Sequence, residues 1–169
     1  MVILQFINRA IRNLITTRFS ASRAFSLACR EDIANKISQS ELKHSGEIRF
    51  AVESSLSVME LCRGMNSRSK ALELFKALGI DQTVKKNGVL IYLLLAERRI
   101  EIIADVGIEQ VIESDFWSSE INKLSKALKK GEYKEGVIQI IDDLTELLSQ
   151  HFPPDKTDLN ELKNDVYLV

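Results

Sequence analysis

Four oxygen-bearing side chains, Asp81, Thr83, Asn87 and Asp105, form the set whose types and spacing suit chemistry. Two carboxylates, a hydroxyl and an amide carbonyl are hard donors of the kind that Ca²⁺ or Mg²⁺ takes. A cation held by them can polarise a phosphoryl oxygen or activate water. The same residues have a plainer reading, in which Asn87 and Asp105 cap turns and Thr83 bonds to backbone. Calcium wants about 6–8 oxygens, and the chain has no dense acidic loop. The plainer reading is therefore the expectation and cation binding its alternative.

Other chemistries find less. His44 and His151 stand alone, without a Cys, His or carboxylate at ligand spacing. No glycine-rich phosphate loop is present, Gly107 lacks partner glycines, and no serine sits in a nucleophile elbow. Glu113 and Asp115 suit the start of a helix. Lys129 and Lys130 suit a helix end rather than a nucleic-acid stripe. Cys29 and Cys62 have neither metal nor redox spacing, and core thiols in a reducing, cytosolic compartment are expected.

The elements that must position the four oxygens centre on Asn87 to Ile108. Asn87-Gly88 is a turn signal, because both residues tolerate positive φ. Val89 to Leu95 is an almost unbroken apolar run, too short to cross a membrane. Its β-branched and aromatic start favours a strand, and its continuity asks for cover on both faces. Ile100, Ile102 and Ala104 then alternate along a second strand with period two. The short link through Glu97 and Arg98 makes the pair an antiparallel hairpin. Asp105 thereby ends one strand beside the start of the other, where Asp81, Thr83 and Asn87 enter.

Around the hairpin, Glu47–Glu53 alternates as a third strand, with Ile48, Phe50 and Val52 on one side and Arg49 and Glu53 on a wetter one. A helix capped by Ser22 or Ser26 precedes it and ends near Gly46. A short helix or turn is expected within residues 54–63, and a firmer helix runs from Asn66 or Ser67 to a stop at Gly79. After Gly107, a helix capped by Ser114 or Asp115 carries Phe116, Trp117, Ile121, Leu124 and Leu128 up to Gly131. A last helix from Lys134 stops at Pro153-Pro154. The expected class is α/β: a small mixed sheet with a central antiparallel hairpin, sandwiched between helices. Residues 155–169 are expected to form a mobile tail.

Residues 1–24 read as a basic arm. Ile3, Phe6, Ile7, Ala10, Ile11, Leu14 and Ile15 form one helical stripe, with Arg9 and Arg12 off it. Either the stripe packs on this domain or a second copy, or it lies on an anionic membrane surface or membrane protein through Ile3, Phe6, Ile7, Arg9, Arg12 and Arg18. The first 30 residues hold five arginines and no acid, leaving 18 basic against 24 acidic residues and a net of −6 in the remainder. The charges follow the apolar segment, the reverse of a signal peptide, and no run reaches the roughly 20 residues of a membrane span.

The segments His44–Glu53, Ala71–Leu78, Asn87–Tyr92, Glu101–Asp105 with Gly107-Ile108, Gly131-Glu132-Tyr133 and His151–Pro154 come in an order that resembles the TPM domain family. The resemblance is to its compact proteobacterial branch and spans roughly residues 25–154. It implies a small mixed sheet between helix layers, frequent membrane association, and phosphatase activity for some plant members. That branch usually places an arginine between the Asp and Gly of the hairpin exit, where this chain has Val106. The expected function is a non-enzymatic accessory or binding domain near a membrane surface. The alternative is a divalent-metal-dependent phosphatase using an acidic cleft at the hairpin end.

Overall fold

The computed structural model describes residues 2–16, 19–154 and 160–169, and leaves the side chains of Val2 and Ile3 aside. Four strands, β1 (Glu47–Glu53), β2 (Gly88–Leu94), β3 (Arg99–Ala104) and β4 (Tyr167–Leu168), form one sheet in the order β3-β2-β1-β4. β2 and β3 are the expected antiparallel hairpin, with Val89 opposite Ala104 and Leu94 opposite Arg99. β1 runs parallel to β2 along its whole length, from Glu47 opposite Gly88 to Glu53 opposite Leu94.

A parallel pair needs a crossover. Here it is made by α4 (Val58–Cys62), α5 (Ser67–Ala77) and a single 3₁₀ turn, Ile80–Gln82. Local chemistry sets the starts and stops. Ser57 and Asn66 begin α4 and α5 with reciprocal capping boxes, and Gly79 ends the second in the left-handed conformation. The other face of the sheet is covered by α3 (Leu27–Glu41), α7 (Ser114–Lys130) and α8 (Tyr133–His151). Ser26 caps α3 through the Cys29 amide, and Gly131 at φ 83° separates α7 from α8. No helix among the described residues is long and apolar enough to cross a membrane.

Alternation sorts the strand residues between two cores. Ile48, Phe50, Val52, Val89, Ile91 and Leu93 meet α3, α7 and α8. Leu90, Tyr92, Leu94 and Ile103 meet α4, α5 and the 3₁₀ turn. Leu93 and Leu94 point to opposite faces and are 1% and 0% exposed, as a strand covered twice requires. Fully burying one such leucine is worth about 1.5–3 kcal/mol.

Several sequence expectations differ from the structure; Cys62 is exposed and Cys29 only half-buried, so neither is a core thiol. The second face of β1 is not wet: Glu47, Arg49 and Glu53 are all buried. Each has a partner, as a buried charge must. Tyr92 donates to Glu53 at 2.7 Å, Arg49 meets Asp165 at 3.1 Å, and Glu47 accepts the backbone N–H of Glu161 at 3.0 Å. Gly46 is no left-handed cap. α3 has already ended at Leu42, and Gly46 makes room for Leu148, whose Cδ1 would lie 3.1 Å from an added Cβ. Residues 160–169, grouped with a mobile tail, lie against the domain instead. Val166 is buried, and Tyr167 and Leu168 extend the sheet beside Ala51 and Val52. Most partners of that segment, among them Ser38, Glu41, Glu47 and Arg49, lie more than a hundred residues upstream, which local periodicity does not register.

Glu41, at the end of α3, helps hold this edge. It accepts the Ile48 N–H at 3.0 Å and the Asn164 amide at 2.7 Å, while burial pushes its carboxyl up to about 7. Folding therefore favours the protonated form. The stability gained is full below the unfolded pKa of 4.5 and is lost as pH rises through about 7. Glu41→Gln mimics the neutral acid. Urea denaturation is expected to find it more stable than the parent at pH 8, by about 1–3 kcal/mol, and nearly equal at pH 5. A difference that does not change with pH would refute this.

Candidate functional site

The end of the hairpin away from its turn is assembled from three chain segments. Asp105 follows β3 and caps the short α6 (Val106–Glu109), its Oδ1 accepting the Val106 N–H at 2.7 Å. Its own backbone N–H donates to the Gly88 carbonyl at 2.9 Å, and Gly107 donates to Lys86 at 3.0 Å. Asn87, just before β2, is fully buried and donates through Nδ2 to the Ser45 carbonyl at 2.6 Å. Asp81 lies in the 3₁₀ turn, and Thr83 ends it.

Two glycines permit this close assembly. A Cβ on Gly88 would meet the Ile80 side chain and stand 2.8 Å from the Ile80 carbonyl oxygen. A Cβ on Gly107 would stand 2.5 Å from the Lys86 carbonyl oxygen and 3.0 Å from that of Lys85. The 3₁₀ turn and the α6 entrance are thus packed directly onto the start of β2. The Asn-Gly pair is not the positive-φ turn expected from sequence. That conformation falls on Lys86, at φ 53°, while Gly88 is already in the strand.

All four candidate residues carry a buried side-chain oxygen without a hydrogen-bond partner: Asp81 Oδ1, Thr83 Oγ1, Asn87 Oδ1 and Asp105 Oδ2. An unsatisfied buried polar group costs about 1–3 kcal/mol, so four at one end of one hairpin are a substantial local burden. The caps of the plainer reading are present too, but they use only part of each side chain. Asp105 caps α6 with one oxygen and Asn87 anchors Ser45 with its nitrogen, leaving the other atom of each. No group of three or more His, Cys, Asp or Glu side chains able to hold a metal occurs among the described residues. Two carboxylates with two neutral oxygens is a set of a different kind. Val106, where the resemblance leads one to expect arginine, is exposed beside Asp105 and adds no charge.

His44 and the buried Glu53 are engaged elsewhere, while Glu120 on α7 meets Lys123 with Oε1 at 2.7 Å and leaves Oε2 unpartnered. His44 Nδ1 accepts the Gly46 N–H at 3.1 Å, so its proton sits on Nε2, facing Ser40 Oγ at 2.8 Å. Ser40 meets Thr145 at 2.6 Å, and Thr145 donates to the Ile141 carbonyl. This buried relay joins α3 to α8 and has no access to a substrate. Glu53 is held above the usual carboxylate range by burial, which its bond from Tyr92 only partly offsets.

A second surface is the N-terminal helix, α1 (Val2–Ile15). Its attachment to the domain is mainly polar, with Ala10 alone of the described stripe residues packed against the α4/α5 core. Arg9 donates to Glu97 at 2.7 Å and to the Met65 carbonyl at 2.6 Å; Asn13 donates to Glu97 at 3.1 Å and accepts the Leu56 N–H at 2.8 Å. Its apolar residues face outward instead, with Phe6, Ile7, Ile11, Leu14 and Ile15 between 43% and 72% exposed. Arg12 is exposed as well. Arg18 and the side chain of Ile3 lie outside the described residues.

A family model described as the TPM domain matches residues 18–147. The chain belongs to the TPM domain family. The NMR structure of the BA42 protein from the psychrophilic bacterium Bizionia argentinensis matches this TPM domain with a TM-score of 0.76 at 29% identity, covering 86% of this chain and 95% of that one. The solution structure of the N-terminal domain of a protein from P. gingivalis matches with a TM-score of 0.60 at 18% identity, over 77% of this chain and 82% of that one, and shows the fold alone. No curated protein matches the chain.

Sequence reasoning missed the work of Gly88 and Gly107, since a close backbone approach leaves no periodic trace. Gly107 lies in the short helix α6 without positive φ, where alanine would ordinarily stabilise by up to about 1 kcal/mol. The Lys86 carbonyl reverses that sign. Gly107→Ala is expected to lower the urea midpoint by the equivalent of about 1–3 kcal/mol, with little change in slope. A variant as stable as the parent would show that α6 has room to move.

Proposed function

We propose that this TPM domain is a binding domain that takes a divalent cation at the Asp105 end of the hairpin. The supporting observation is the set of four buried, unpartnered oxygens on Asp81, Thr83, Asn87 and Asp105. The donor chemistry fits Ca²⁺ or Mg²⁺ with water completing the shell, since magnesium keeps several waters beside one or two carboxylates. When bound, such an ion supplies a Lewis acid for a phosphoryl oxygen or water. The chain's contribution is orientation. Asn87 is fixed by Ser45, Asp105 by the Val106 amide, and the turn bearing Asp81 and Thr83 by the contact of Ile80 with Gly88.

Thermal denaturation with and without CaCl₂ or MgCl₂ tests this. Saturating cation at 100 times its Kd is expected to stabilise the parent by about 2.7 kcal/mol. Asp105→Asn should lose that response while being no less stable without cation, because it removes a buried carboxylate with one unpaired oxygen. An equal cation response in both proteins would reject the site. Turnover of a phosphomonoester with Mg²⁺ or Mn²⁺, lost in Asp105→Asn, would convert the binding domain into a phosphatase.

A second reading, docking on an anionic lipid surface, is favoured by the outward apolar face of α1. A terminal helix normally buries its stripe on its own domain; this one is tied down by Arg9 and Asn13 and leaves the stripe free. Basic residues near such a surface add about 1 kcal/mol each, and the acidic body would hang away from it. Vesicles containing anionic lipid are expected to sediment the full chain at low salt and to release it at 1 M salt. Phe6→Ser with Ile11→Ser should abolish binding, whereas unaltered binding by that variant would exclude the helix as the contact.

A further inference from the structure

A cavity of about 480 Å³ lies at the other end of the sheet, between the start of α2 (Phe19–Ala24), the β2–β3 turn and the last turn of α7. That volume falls within the roughly 300–1,000 Å³ of small-molecule sites. Its lining has two characters. The half-buried Leu95, Ile100 and Leu128 supply an apolar wall, while Arg98, Arg99 and Lys129 stand at it as cations. None of these three cations is ion-paired with a described residue, and no acidic side chain is among the described lining residues. All three are solvent-exposed at its rim, so their donors are open to an anionic ligand and no lining carboxylate competes for them.

The backbone strengthens the case. Arg98 sits at φ 52°, in the left-handed region, at the hairpin turn. Glycine or asparagine fills such a position without strain, and a long side chain does not favour it. Guanidinium groups bind carboxylate and phosphate with paired N–H donors. Hydroxyl groups of Ser20, Ser125 and Tyr133 on the lining add neutral donors.

We propose that this cavity binds a single-chain anionic amphiphile. Its carboxylate or phosphate head meets Arg98, Arg99 and Lys129, and its alkyl chain lies against Leu95, Ile100 and Leu128. The inference is independent of the cation site, which lies at the opposite end of the hairpin, and of the outer face of α1.

Calorimetric titration of the full chain with dodecyl phosphate and with dodecanoate, each below its micelle concentration, is the test. Inorganic phosphate and dodecanol serve as head-only and chain-only probes. Both amphiphiles are expected to bind at least tenfold more tightly than either probe. Arg98→Gly relieves the backbone and should fold at least as well as the parent. Combined with Arg99→Gln, it should weaken both amphiphiles at least tenfold. Amide shifts of the parent on titration should concentrate at residues 93–100 and 125–133. Phe6→Ser with Ile11→Ser should leave this binding intact, which separates it from any lipid docking by α1. Dodecanol binding as tightly as dodecanoate, phosphate binding as tightly as dodecyl phosphate, an unchanged affinity in the double variant, or shifts centred elsewhere would each overturn the proposal.

Discussion

Seven consecutive residues, Gly88 to Leu94, are shut off from water on both faces of the sheet, and the placement of the other elements follows from that constraint. A strand buried twice must have its backbone paired on both sides as well, because unpaired buried amides are costly. β1 and β3 supply those bonds. One layer of helices covers Val89, Ile91 and Leu93, and another covers Leu90, Tyr92 and Leu94. Both ends of β2 then become places where chain segments converge: the start gathers the four oxygens, and the far end gathers Arg98, Arg99 and the end of α7.

The fold was readable where one physical signal dominates. An apolar run bounded by polar residues specifies β2, period two specifies β3, and serine, asparagine and glycine mark helix ends at Ser26, Asn66, Gly79 and Gly131. The four oxygens could be grouped from sequence because hairpin geometry alone brings the end of β3 to the start of β2. What that reading could not judge is satisfaction. Whether Asn87 Oδ1 or Asp105 Oδ2 finds a donor depends on Ser45, Val106 and the packing of Ile80 on Gly88, and those contacts come from separate parts of the chain.

The N-terminal helix shows the same limit from the other side. Its stripe was legible, but amphipathicity names two faces without saying which is inward. Burial of the apolar face is the ordinary outcome, yet here bonds donated by Arg9 and Asn13 to Glu97 and Met65, and one accepted by Asn13 from the Leu56 N–H, fix the polar one. Charge-assisted bonds in partly buried positions are roughly twice as strong as neutral ones, and the apolar alternative has little open core left to enter. β1 repeats the pattern. Its Glu47, Arg49 and Glu53 read as a solvent face until the partners that bury them are in place.

The two-residue strand β4 has a consequence for the order in which the molecule opens. Arg49 and Asp165, which flank it, are 116 residues apart in sequence, so closing that loop is entropically expensive relative to the few bonds it forms. A strand of two residues with a half-buried and an exposed side chain has few contacts to resist local opening. When Tyr167 and Leu168 lift, the backbone groups of Ala51 and Val52 are bared on the β1 side of the sheet, opposite the open edge at β3. A free strand edge is a template for another strand. Tyr167 and Leu168 thus occupy two backbone positions of β1 that would otherwise be open to another strand.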